Sequence, residues 1–158
     1  MMKKLILMAI SIAALAPAVF AGAEPGVNKS IANAFRQEFG DATSVTWKKV
    51  ESENVYIGQF VKDGTRKEAF FDQNGKLIGE GEYISPASLP LTVQRMAAKE
   101  YSKYKLIAAY EFYKTDSSVP VYALSIRNNK EILQLRLNES NELSVVKRIR
   151  ENFTSIYK

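Results

Sequence analysis

Eight runs of alternating apolar and polar residues constrain this chain more than anything else in it, because a period of two marks strands that turn one face to a core. They fall at 43–50, 54–62, 65–73 and 76–85, then at 105–115, 119–128, 130–138 and 142–150. Asp63-Gly64 and Asn74-Gly75 read as hairpin turns, since both supply residues that tolerate positive φ, and Asn128-Asn129 and Ser140-Asn141 are candidates for the same role. A helix precedes each set of four strands. Between Asn28 and Gly40, the residues Ile31, Ala34, Phe35 and Phe39 recur at steps of three and four, with Asn28 as N-cap and Gly40 as the stop. Pro86 and Pro90 bracket a connector, after which Val93, Met96, Ala97 and Tyr101 mark one face of a second helix over 91–103.

This order predicts an α+β fold: a tandem repeat of helix plus four-stranded antiparallel meander, at about 27–85 and 90–150, with the helices packed on one face of the sheet. A shift of 66 places Tyr56 on Tyr122, Phe60 on Ile126, Phe71 on Leu137, Asp72 on Asn138, Gly75 on Asn141 and Leu77 on Leu143. The helices align at 62 instead, Ile31 on Val93 and Phe39 on Tyr101. Alternating patterns match themselves at any even shift, so the order of elements is the firmer sign of repetition. One helix on four strands is too small a unit to be well stabilised alone, which predicts halves that share a sheet or dock closely.

At the N-terminus Lys3 and Lys4 precede an apolar run from Leu5 to Phe20, and Ala21-Gly22-Ala23 has the small-x-small form of a signal-peptidase site. Cleavage after Ala23 leaves 135 of 158 residues, enough for a domain that folds without a disulfide or a metal. Ser11 and Pro17 interrupt the run, which falls short of the ~20 helical residues that a bilayer crossing takes. The expectation is a periplasmic or secreted protein with no membrane span. Loss of Lys3 and Lys4 lowers the formal charge from +5 to +3, too slight an excess for a nucleic-acid binder. The chain has no histidine and no cysteine, which excludes Ser-His-Asp triads, Cys-His pairs, the usual zinc sites, histidine proton shuttles and a thioether-linked lipid. Paired carboxylates, lysine, or serine with lysine are what remains for catalysis. The chain reads as a non-enzyme, with no catalytic residue, no cofactor and no metal.

The pattern resembles the PepSY-like proteins of the β-lactamase-inhibitor-like (BLIP-type) fold, common as exported proteins of Bacteroidetes. The residues that carry the resemblance are Ile31-Ala32-Asn33-Ala34-Phe35 with Phe39, Ala42 and Val45-Thr46-Trp47, Tyr56 with Phe60, Ala69-Phe70-Phe71-Asp72 before Asn74-Gly75, and Leu89-Pro90 ahead of the second helix. It covers nearly the whole chain after the leader. The second half departs from the pattern, reading Asn-Glu-Ser-Asn after Leu137 where the family tends to have Asp-x-x-Gly. These are packing and turn residues. The resemblance therefore implies a fold and a binding or inhibitory module of the cell envelope, and names no catalytic residue.

Four groups of residues are candidates for chemistry or binding. Asp72-Gln73-Asn74-Gly75 opens like a calcium loop, but position twelve is Tyr83 where a bidentate glutamate is needed, and the same residues make a tight hairpin. Glu68, Asp72, Glu80 and Glu82 sit on adjacent strands and could hold a cation or act on a glycan, or could form cross-strand ion pairs with Arg66, Lys67 and Lys76. Arg136, Arg148 and Arg150 form a basic strip if they point the same way, able to steer an acidic partner or an anionic polymer, or else they keep an exposed sheet soluble. Trp47, Tyr56 and Phe60 are strand aromatics, either packed beneath a helix or presented on an open sheet face as anchors for a partner. The preferred expectation is an exported binding or inhibitory module that uses an open sheet face, with Trp47, Tyr56 and Phe60 as anchors and the three arginines as steering charges. Its partner would be another envelope protein or peptide.

Overall fold

The computed structural model describes residues 27–138 and 140–150. The leader and its cleavage site, at 1–23, lie outside them. Along the described chain run α1 (Lys29–Glu38), β1 (Thr43–Val50), β2 (Val55–Lys62), β3 (Thr65–Phe71), β4 (Leu77–Ile84), a 3-10 turn (Pro86–Ser88), α2 (Leu91–Glu100), β5 (Lys105–Lys114), β6 (Val121–Arg127), β7 (Glu131–Leu137) and β8 (Leu143–Arg150). The eight strands make one antiparallel meander in sequence order, not a tandem repeat of a helix and four strands, and that expectation is corrected here.

Strand β5 explains the difference. The chain forms two compact units, one running to Glu82 and taking in Phe112–Pro120, the other made of Tyr83–Glu111 and the chain from Val121 onward. Within the first unit the Thr115 N–H donates to the carbonyl of Ile78 at 3.0 Å, and Thr115 Oγ1 donates to that of Leu77 at 3.1 Å. A repeat ending before α2 would leave that row of β4 backbone groups without partners, and an open strand edge is a template for wrong pairing.

In the first unit α1 starts where the Asn28 side chain accepts the Ile31 N–H at 2.9 Å, an N-cap that satisfies one of the orphan donors of the first turn. Its buried face, Ile31, Phe35 and Phe39, packs on Phe60, Ala69 and Phe71 of the sheet. Burial of side chains of this size is worth about 1.5–3 kcal/mol each. The helix is also fastened to the β3–β4 hairpin. Asn28 Nδ2 donates to the Gln73 carbonyl at 3.0 Å and Ser30 Oγ to the Asn74 carbonyl at 2.8 Å.

In the second unit α2 opens at Pro90 without a side-chain cap, and Gln94 Nε2 ties the helix to its connector by donating to the Leu89 carbonyl at 2.8 Å. Leu89, Val93 and Ala97 pack on Leu124, Ile126, Leu133 and Leu135.

Candidate functional site

Residues directly opposite in an antiparallel ladder point to the same side of the sheet. In the second unit the ladders of β6, β7 and β8 therefore sort their paired residues by face. Leu124 pairs with Leu135 and Ile126 with Leu133, and these belong to the core under α2. The other phase turns away from α2 in three rows: Ala123, Arg136 and Ser144; Ser125, Gln134 and Lys147; Arg127, Ile132 and Ile149. At its middle Ser125 and Gln134 are each only 4 % exposed, and around them stand Arg127, Arg136 and Lys147, one from each strand. No carboxylate occurs among these nine strand positions.

The basic strip expected from the sequence is split between the two faces. Arg136 lies on the face away from α2, opposite Ser144, whereas Arg148 opposes Leu133 and Arg150 opposes Glu131 on the α2 side. A β-bulge does this. Gln134 pairs with Lys147 but Leu135 pairs with Val145, so Val146 is the extra residue, and one extra residue reverses the phase of everything after it.

Arg148 is also engaged, with Nη1 donating to both carboxylate oxygens of Glu131 at 3.0 and 2.9 Å, and Tyr104 Oη donates to the same carboxylate at 2.5 Å. Glu131 is 8 % exposed, so these bonds hold a nearly buried charge. The tyrosine hydroxyl first, and then Arg148, hold its carboxyl below the usual range, while the bond to Glu131 pushes the Tyr104 hydroxyl up.

Trp47, Tyr56 and Phe60 come together beneath α1. Trp47 opposes Gly58, and Tyr56 opposes Phe71. The Phe35 ring meets that of Trp47 at 5.2 Å in an edge contact and that of Phe60 also at 5.2 Å. Phe60 is 1 % exposed, while Trp47 and Tyr56 are half-buried at the margin of the same cluster, with Lys49 Nζ 5.7 Å from the Tyr56 ring centre. They share the helix-bearing face of the first unit, so Phe60 acts on any partner only through the packing it supports. The opposite face of that unit has aromatics of its own, Phe70 and Phe112, whose rings meet at 5.1 Å.

The four carboxylates do not converge. Glu68 opposes Gly81 on the face away from α1, whereas Glu80 and Glu82 oppose Ala69 and Lys67 on the α1 side. Lys67 reaches Glu82 at 3.7 Å, and Gln59 donates to Glu68 at 2.6 Å. Asp72 Oδ1 accepts the Asn74 and Lys76 N–H groups at 2.8 and 2.9 Å, which makes the hairpin its role. Among the described residues no three histidine, cysteine or acidic side chains are grouped to hold a metal ion.

Sequence reasoning passed over Arg127, Gln134 and Lys147. Arg127 was within reach of it, since Ser125 and Arg127 alternate with Leu124 and Ile126.

No protein-family model matches the chain, and no curated protein matches it. Solved structures do. A DUF2874 family protein from Bacteroides uniformis superposes with a TM-score of 0.66 at 14 % identity, over 82 % of this chain and 94 % of that one. A candidate periplasmic protein from Bacteroides eggerthii gives 0.65 at 16 %, over 82 % and 90 %. A BLIP-like protein from Bacteroides fragilis gives 0.61 at 16 %, over 82 % and 92 %. The fold is BLIP-like. At these identities the likeness is one of fold, and none of the three is described as PepSY-like. No helix among the described residues is long and apolar enough to cross a membrane.

Proposed function

We propose that this protein is an exported binding module of the cell envelope that engages a protein partner through the face of β6–β8 turned away from α2. The observation that carries the reading is the make-up of that face. Its centre is Ser125 and Gln134, polar side chains placed where a sheet needing a second packed layer would carry leucines, and its cations come from all three strands. A surface of this kind suits an interface with a polar rim and steering charges. The periplasmic placement rests on the leader-like N-terminus and on the fold shared with the candidate periplasmic protein of B. eggerthii. The fold shared with a BLIP-like protein supports a protein partner, and inhibition is one form such binding could take. Of the residues expected as a site, Arg136 stands on this face beside Ser125 and Gln134, whereas Arg148, Arg150, Trp47, Tyr56 and Phe60 lie on the helix-bearing sides.

The test is site-specific photo-crosslinking in living cells. A photoreactive amino acid replaces Ile132 or Ile149 on the proposed face, and in separate strains Arg95 or Lys99, exposed on α2. Adducts of one defined mass from the sheet positions alone are expected. Adducts from the α2 positions alone would move the interface to the helix and remove this reading.

A further inference from the structure

The hairpin that fastens α1 also contains a chemically reactive pair. Asn74 is followed by Gly75, whereas each of the other eight asparagines is followed by a residue with a Cβ. Without a Cβ to shield it, the glycine nitrogen is the backbone nitrogen best able to attack the side-chain amide before it. Asn74 is exposed, and the fold keeps its neighbour a glycine. Gly75 has a φ of 87°, and a Cβ there would come 2.8 Å from Ser30 Oγ and 3.0 Å from the Ser30 carbonyl. The approach of α1 that demands the glycine also restrains it. The Gly75 N–H donates to the Asp72 carbonyl at 3.1 Å, and Ser30 Oγ donates to the Asn74 carbonyl at 2.8 Å. That carbonyl and that N–H belong to one planar peptide, so it is held at both ends. Asn28 Nδ2 holds the preceding carbonyl, that of Gln73, at 3.0 Å. Attack needs the Gly75 nitrogen to give its proton to a solvent base, as in hydrogen exchange, so the bond to Asp72 has to open first.

We propose that Asn74 is a site of self-modification by deamidation, and that the tether from α1 sets its rate. The Gly75 nitrogen bonds to Asn74 Cγ, its proton passes to the solvent base, and the side-chain nitrogen leaves as ammonia, closing a five-membered succinimide. Water then adds to either ring carbonyl and breaks that carbon's bond to the ring nitrogen. The net change is ammonia out and water in, with no oxidation or reduction, and the product at position 74 is aspartate or isoaspartate. In isoaspartate the main chain runs through Cβ and Cγ, and the carbonyl that accepted Ser30 Oγ becomes a free carboxylate. The peptide that joined Ser30 to Asp72 no longer exists, so the isoaspartyl protein loosens the opening turn of α1.

The test is incubation of the purified exported protein in mildly alkaline buffer. Peptide mass spectrometry locates the amide-to-acid change, and labelling by an isoaspartyl methyltransferase with S-adenosylmethionine counts isoaspartate. A capped peptide of residues 70–78 gives the unrestrained rate. Modification centred on Asn74, slower than in the peptide, is expected. Ser30→Ala speeds it about two- to tenfold, the worth of one hydrogen bond expressed as more frequent opening. Asn28→Ala, which loses the helix cap and the bond to Gln73, speeds it about five- to thirtyfold. Asn74→Gln keeps the backbone bonds and abolishes the signal. Ile57→Ala weakens the first unit from the buried face away from α1, touches none of the hairpin bonds and leaves the rate unchanged. Modification no faster at Asn74 than at the other asparagines would overturn the proposal, as would a wild-type rate equal to that of the peptide. A Ser30→Ala rate equal to wild type, or an equal acceleration by Ile57→Ala, would overturn it too, assigning the rate to unfolding of the whole unit.

Discussion

Gly79 shows how little room the sheet leaves at one residue. A Cβ built there would come 2.4 Å from the Tyr113 carbonyl oxygen and 2.6 Å from the Phe112 ring, one of them backbone that cannot swing aside. Gly79→Ala is therefore expected to cost about 1–3 kcal/mol, read as a lower denaturant midpoint at unchanged slope. Two glutamates give opposite signs with pH. Glu131 is held low by Tyr104 and Arg148, so its contribution to stability is complete at neutral pH and is lost as pH falls through its folded value, below the ordinary range near ~4.3. Glu53 is pushed up by burial, and its Oε2 has no hydrogen-bond partner, so its ionised form costs stability that is recovered as pH falls through its own folded value. Glu131→Gln should lower the denaturation midpoint at pH 7 and Glu53→Gln should raise it. Both differences should shrink toward pH 3, and a Glu131→Gln protein as stable as wild type at pH 7 would contradict the account of that cluster.

At the level of elements, the turns and the first helix were plain in the sequence because their causes are local. Asn28 caps α1, Gly64 and Gly75 take positive φ in the expected hairpins, and Asn141 does so at φ 59° in the last one. The hairpins at Asp72 and Asn138 are closed in the same way. Asn138 Oδ1 accepts the N–H groups of Ser140 and Glu142 at 2.9 and 2.8 Å, as Asp72 does for Asn74 and Lys76. What no local rule discloses is an inserted residue. The bulge at Val146 sends Arg148 and Arg150 to one face and leaves Arg136 on the other, and in β3–β4 Phe70 pairs with Gly79 but Phe71 with Leu77, so Ile78 is the extra residue. Bulges depend on how two strands twist against each other, which alternation within one strand does not record. The fastening of α1 to its hairpin was equally hidden, since it joins residues more than 40 positions apart. Its test is Asn28→Ala, which removes the cap and the bond to Gln73 together and should cost about 1–2 kcal/mol. Ser30→Ala should cost less, and hydrogen exchange should quicken first in the opening turn of α1.

For the molecule as a whole, the alternation foretold eight strands and two helices but not one meander, because the pairing that completes β4 comes from residues some 35 positions later, beyond a helix. The binding face was legible in part. Arg136 could be placed by its alternation with Leu133, Leu135 and Leu137, but its company could be known only once the ladder to β6 and β8 was drawn. The aromatics that drew attention in the sequence serve the first unit's core, and the face proposed for binding is polar and basic. The most direct measurement is capture of envelope proteins by the immobilised exported protein, comparing wild type with Arg136→Glu on the proposed face and Lys99→Glu on α2. A partner held by wild type and by Lys99→Glu but released by a folded Arg136→Glu is the predicted result. A partner held equally by all three, or lost only from Lys99→Glu, would contradict a binding module that works through the face of β6–β8 away from α2.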